Sequence, residues 1–237
     1  MNFSLDMCKY DFSSDNINII TLVYDQSGSM SDDIRSMLKA NEAFKKDFSK
    51  FEERKSIAIS KVVFSEYFKQ SPFRDVANFN TSYDTDDCTF LYYSIDLAAR
   101  NTIAYYNEIV KRLNVRPRIT FLVFSDGCDS EQSRTRFDAA KNSILELNCL
   151  DATTVFVAFR SAITSGIGDD LGFTCTRNIT SVQELISCLG NELSKSCKEQ
   201  SKSAYSLKSE FFSKASADTE DDSPAEQAMV EDDFFNV

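Results

Sequence analysis

The chain contains no histidine. That excludes Ser-His-Asp and Cys-His catalysis, histidine-ligated zinc and a histidine general base together, since each needs an imidazole to carry a proton or a metal. No GxxxxGK[ST] loop and no GxSxG elbow occurs, so neither a P-loop phosphate cradle nor a nucleophile elbow is present. Gly166-Ile-Gly168-Asp-Asp-Leu-Gly172 comes near a dinucleotide loop. Its third glycine falls one position late, and no strand leads directly into it. There is no Cys-x-x-Cys; seven cysteines, an odd number without framework spacing, read as free thiols in a reducing compartment. No apolar run approaches the ~20 residues of a membrane-spanning helix. The opening residues (MNFSLDMCKYDF) lack a basic stretch followed by an apolar core, so the expected location is the cytoplasm. Positive charge is scarce: 26 Lys and Arg stand against 37 Asp and Glu, a net charge of −11. That argues against a phosphate-backbone partner, and no membrane partner is expected.

What is present fits one α/β domain with an appendage. A length of 237 residues at 42% apolar composition supports a sizeable core. Apolar, β-branched runs at 17–24 and 118–125 read as buried strands, the first covered on both faces as in a parallel sheet, and 56–65 and 152–159 read as further strands. A weaker candidate, 67–76, is placed at the sheet edge by Pro72, which cannot donate to a ladder, and would form an antiparallel hairpin with 56–65. Phe173–Arg177 is a last short strand. Between the strands lie amphipathic segments. Ile34, Met37, Leu38, Phe44, Phe48 and Phe51 share one helical face. The spacing also predicts a long helix from Thr89 to the approach to Pro117, a helix over 133–147, a short one near 163–171 and a closing one over 181–197. Ser31, Asp32 and Asp33 suit the N-terminus of the first helix. Strands alternating with helices imply right-handed crossovers and a mostly parallel sheet covered on both faces.

Three stretches carry the chemistry. The first strand ends in Asp25-Gln26-Ser27-Gly28-Ser29, three oxygen-bearing side chains at i, i+2 and i+4 just past a strand's carboxyl end, where open α/β sheets bind ligands. The polar loop 78–88 leads into Thr89. The strand Ile119–Ser125 runs into Asp126-Gly127. Oxygen-only ligands of this kind suit a hard divalent cation.

In these residues the chain resembles the von Willebrand factor A (VWA) family, over roughly residues 15–198. That family's metal-ion-dependent adhesion site (MIDAS) is written DxSxS, then a distant Thr, then a distant Asp before Gly; here these are Asp25, Ser27, Ser29, Thr89 and Asp126. The resemblance implies a Rossmann-like, mostly parallel sheet with one antiparallel edge strand and helices on both faces. It also implies one Mg²⁺ (or Mn²⁺) ion, with Ser27, Ser29 and Thr89 in direct contact and Asp25 and Asp126 often acting through water. The ligand would be an Asp or Glu of a protein partner. One departure stands out: where many relatives have two glycines before the Thr, this chain has Asp87 and Cys88. With Asp86 and Asp129 near the rim, the extra acids would tighten metal and repel an acidic ligand. Asp32 and Asp33 resemble the extra acid pair of integrin β-type domains, but also read as plain first-turn carboxylates.

Residues 1–14 form a polar lead-in, 15–200 the domain, and 201–237 an acidic tail with nine acids against three bases. Such a tail cannot bury enough apolar surface to fold alone. Its end, Glu231-Asp-Asp-Phe-Phe-Asn-Val237, reads as a docking peptide for a second partner, with acids to steer and aromatics to anchor. The expected function is a metal-dependent protein-interaction module in the cytoplasm. The alternative is an adaptor or regulator of an ATPase or other complex acting through the tail. A metal-dependent hydrolase ranks last, because no base or nucleophile constellation accompanies the metal ligands.

Overall fold

The central strand β1 (Asn18–Asp25) is buried along its whole length, as its run of Ile, Leu and Val demands. A computed structural model of the chain describes residues 17–48, 56–85, 88–159, 165–179 and 184. In it β1 lies between β2 (Ile57–Phe64) and β4 (Arg118–Ser125), parallel to both. Among the described residues the sheet has six strands in the order β3-β2-β1-β4-β5-β6, with β3 (Phe68–Gln70), β5 (Thr153–Phe159) and β6 (Cys175–Ile179) completing it. All pairings are parallel except β2 with β3. The architecture is the expected one: a mostly parallel sheet, one antiparallel edge strand and helices on both faces.

Each face of the sheet has its own core. On one face Val23, Val62, Phe121 and Phe156 pack under α2 (Leu91–Leu113), α3 (Arg134–Cys149) and α4 (Ser165–Leu171). On the other, Leu22, Tyr24, Ile59 and Phe124 pack under Met37, Ala40 and Phe44 of α1 (Ile34–Phe48) and under Val76 and Phe79. The chain leaves β1 toward β2 on the α1 side and leaves β4 toward β5 on the α3 side. The direction of winding therefore reverses between β1 and β4, and a crevice opens at their carboxyl ends.

Several elements differ from the sequence expectation in extent. The edge strand shrinks to three residues because Pro72 interrupts the ladder, which resumes only as an Ile59–Arg74 bridge. The first helical turn begins at Gly28, as a 3-10 turn over Gly28–Asp33, three residues before the predicted capping residues. α2 begins at Leu91 rather than Thr89, because Phe90 is not helical (φ −107°, ψ 64°). β6 starts two residues later than predicted. Gly168 permits α4 to lie directly on the sheet: a Cβ there would come 2.4 Å from Thr176 Oγ1 and 2.7 Å from Phe156 Cβ. The lead-in, Phe51, Asp86, Asp87, the tail and all of the predicted closing helix but Glu184 lie outside the described residues.

Candidate functional site

Asp25 is the last residue of β1 and is completely buried. Its Oδ1 accepts the Ser27 N–H at 2.9 Å, and its Oδ2 accepts the Ser125 hydroxyl at 2.6 Å. Among the described residues no basic side chain pairs with it. Burial without a counter-charge pushes the carboxyl up to about 6. The hydrogen bonds from Ser125 and Ser27 offset this in part, and the charge of Asp126 adds to it. The charged form is thus held where solvent does not support it.

Ser27 caps the 3-10 turn by position only. Its hydroxyl makes no capping bond and lies 3.0 Å from the Ser29 hydroxyl instead. Ser27 is buried and Ser29 exposed, so the pair runs from the floor of the crevice to its rim. From the far side, Asp126 follows β4 directly. Its Oδ1 accepts the Cys128 N–H at 3.0 Å in a turn that Gly127 makes possible with φ +82°, and the Gly127 N–H returns to Ser125 Oγ at 2.9 Å.

Thr89 is buried in the loop before α2. Its N–H donates to Ser130 Oγ at 3.1 Å, and its carbonyl accepts the Ser130 N–H at 2.8 Å. Asp129 Oδ1 accepts the Leu91 N–H at 2.9 Å, so α2 is capped from a residue far away in sequence. The Phe90 N–H donates to the Ser65 carbonyl at 3.3 Å, and the Gln26 N–H to the Phe64 carbonyl at 2.7 Å. These bonds knit the segments after β1, β2 and β4 and before α2 into one rim. Asp25, Ser27, Ser29 and Asp126 are gathered around the end of β1, and Thr89 is tied to the loop that follows Asp126.

Two residues of the site have no counterpart among the sequence candidates. Ser125 holds the Asp25 carboxylate and the Gly127 turn at once; its only signal was a small polar residue closing an apolar strand. Tyr83 donates its buried hydroxyl to the Asp25 carbonyl. Its phenol is pushed up by burial and then by Asp25, Asp33 and Asp126. It lies in a polar loop that gives no hint of such a role. The Asp32–Asp33 pair splits: Asp33 is buried and its charge reaches Tyr83, whereas Asp32 faces solvent. Cys88 and Cys128 both stand on the rim as free thiols. Burial and the nearby Asp126 raise Cys128 above the usual thiol range, which makes it a poor nucleophile. Among the described residues no three Asp, Glu, Cys or His side chains converge as a metal-ligating group; the donors here are two carboxylates and three hydroxyls.

No family model matches the sequence, and a comparison with curated proteins finds no match. Solved structures do resemble it. The pilus adhesin SpaC from Lactobacillus rhamnosus GG superposes with a TM-score of 0.59 at 10% identity, over 83% of this chain and 31% of that one. Proximal thread matrix protein 1 from the mussel byssus gives 0.56 at 13% identity, over 76% of this chain and 47% of that one. A structure of the same mussel protein with a zinc-occupied MIDAS motif gives 0.51 at 12% identity, over 77% and 46%. The chain spans less than half of the length of each of these proteins. At such identities the likeness is one of fold, and the fold is VWA-like.

Proposed function

We propose that this chain is a protein-interaction module that holds a divalent cation between Asp25, Ser27, Ser29, Thr89 and Asp126 and presents it to an acidic side chain of a protein partner. One observation carries the reading. The Asp25 carboxylate is fully buried at the switch-point crevice with no described cationic partner, amid hydroxyls and beside a second carboxylate. Buried charges are normally paired or coordinate metal. The donor set fits a hard ion: two carboxylates balance a 2+ charge, and neutral hydroxyls complete a shell without overfilling it. When bound, such an ion supplies Lewis acidity at its open position for an incoming carboxylate.

Mg²⁺ or Mn²⁺ matches these oxygens, and the mussel protein's zinc-occupied MIDAS motif on a similar fold supports the reading. The protein is read as a non-enzyme, because among the described residues the Ser27 hydroxyl meets the Ser29 hydroxyl and no base that would activate it; the expected location is the cytoplasm. The module takes in residues 15–200, and residues 201–237 form an appendage whose run of acids over 218–237 suits a second contact. That favours, as second reading, an adaptor that works through the tail. A pull-down with the full chain separates the two. Capture that EDTA and Asp25→Ala both abolish supports the cation reading. Capture that survives both and fails on truncation at residue 217 overturns it in favour of the tail.

A further inference from the structure

The segment 79–83 crosses the face of the sheet that α1 covers, and its carbonyls are taken in turn by side chains of α1 and β2. Lys45 Nζ donates to the Phe79 carbonyl at 3.0 Å, and Asn41 Nδ2 to the Thr81 carbonyl at 3.3 Å. Lys61 Nζ donates to the Asn80 carbonyl at 3.2 Å and also to the Ser82 carbonyl. Surface loops ordinarily leave such carbonyls to water; here four consecutive ones are held by three side chains from two elements.

Lys61 is the centre of this strap. It is only 6% exposed, and its ammonium lies 5.3 Å from the Tyr24 ring centroid and 5.9 Å from that of Phe79. A lysine so placed gives up most of its hydration. Burial holds its pKa down to about 8, so it is kept inside at a cost. What it secures is the far end of the strap, Tyr83, whose hydroxyl grips the Asp25 carbonyl. Tyr24, under the ammonium, donates its hydroxyl to Asn41 Oδ1 at 2.7 Å. Its ring also stacks on Phe124 at 5.0 Å, one residue before the Ser125 that holds the Asp25 carboxylate. The ladder between β1 and β4 stops at Tyr24–Phe124; β2 still takes the Gln26 N–H of the next peptide unit, but the Asp25 carbonyl on its opposite side is held by Tyr83 in place of a strand.

We propose that Lys61 and Tyr83 are positioning residues for the cation site: the strap they close fixes the Asp25 peptide, and through it the carboxylate, in the orientation that binds the ion. This rests on the cation reading above. Partners behind a metal ligand commonly set affinity within a factor of about 10–100.

The test measures Mg²⁺ affinity by calorimetry and metal-free stability by urea denaturation, on the full chain. The variants are Tyr83→Phe, Lys61→Met, their double, and a control, Thr102→Val, which cuts the buried Thr21–Thr102 hydroxyl pair (2.8 Å) elsewhere in the core. Tyr83→Phe keeps the ring against Tyr24 and removes one hydroxyl, so it reports even if Lys61→Met fails to fold. Each strap variant is expected to weaken Mg²⁺ about tenfold, and the double less than a hundredfold, since both act through one strap. The control should lose stability and keep its affinity. Bound Mn²⁺ should change its electron paramagnetic resonance line in the strap variants, because that line follows ligand geometry and not global stability. A folded Tyr83→Phe that binds Mg²⁺ as wild type does, or a control that weakens it equally, overturns the strap. Wild type that binds no Mg²⁺ overturns the cation reading itself.

Discussion

Asp25→Asn should make the metal-free protein more stable while removing its response to metal. In the fold the Asp25 carboxyl is raised to about 6 from 3.8. A raised carboxyl means that the folded state holds its proton more tightly than the unfolded chain does. The proton-linked stability is therefore fully present below pH 3.8, is lost progressively as pH rises through about 6, and stays lost above it. Moving a carboxyl from 3.8 to about 6, at about 1.4 kcal/mol per pH unit, amounts to ~3 kcal/mol missing at neutral pH. The asparagine carries no charge and keeps an oxygen for the Ser27 N–H. It must turn its amide toward Ser125 Oγ, which already accepts from Gly127, so part of the gain is returned; ~1–3 kcal/mol should remain. At about 2–4 °C per kcal/mol for a chain of this size, that is a rise of several degrees in Tm. The assay is urea denaturation of both proteins in EDTA between pH 4 and 8, reading the difference so that shared titrations cancel. The advantage of the variant should be small at pH 4 and largest above pH 6. Saturating Mg²⁺ should then restore wild type, by about 2.7 kcal/mol at a hundred times Kd, and leave the variant unmoved. A variant less stable than wild type at pH 7.5 in EDTA, or a difference independent of pH, would refute the claim that this carboxylate sits uncompensated.

Three further outcomes follow from the same geometry. Asp129→Ala removes the cap on α2 and should lower stability by ~1–2 kcal/mol while loosening the Thr89 segment, read as faster hydrogen exchange at Leu91 and Gln132. Gly127→Ala forces a side chain into φ +82° and should cost ~1–2 kcal/mol in urea denaturation, along with weaker Mg²⁺ binding as the Asp126 turn shifts. Gly168→Ala should cost ~1–3 kcal/mol by overpacking against Phe156 and Thr176 yet leave Mg²⁺ affinity as in wild type, because neither neighbour belongs to the candidate site.

How far the sequence disclosed all this depends on the range over which each signal acts. β4 is predicted and observed over the same residues, Arg118–Ser125, because seven consecutive residues from Ile119, six of them buried, leave a mostly apolar run bounded by Arg118 and Asp126. The edge strand β3 has no such run. Its extent is decided by which Pro72 and Arg74 groups reach β2, a matter of pairing and not of pattern. Thr89 is misread as a helix start. Its helix is capped by Asp129, thirty-eight residues away from Leu91, and no local rule for caps looks that far.

The same division runs through the site. Asp25, Ser27 and Ser29 are adjacent in sequence, and their spacing alone puts oxygens on one side of a strand end. Ser125 and Tyr83 reach Asp25 from 100 and 58 residues away, and neither residue type is unusual in its neighbourhood. Lys61 is the sharper case. In a strand reading IAISKVVF a lysine looks like the one position turned to solvent, yet it is buried on the α1 face. The carbonyls of a loop about twenty residues further on give that ammonium its hydrogen-bond partners, at Asn80 and Ser82. A burial pattern read from one strand assumes that charge must face water; the assumption fails where a loop folds back to solvate the charge with its own backbone. Short-range order thus locates the crevice. The residues that hold its carboxylate in place belong to contacts that exist only once the sheet has formed.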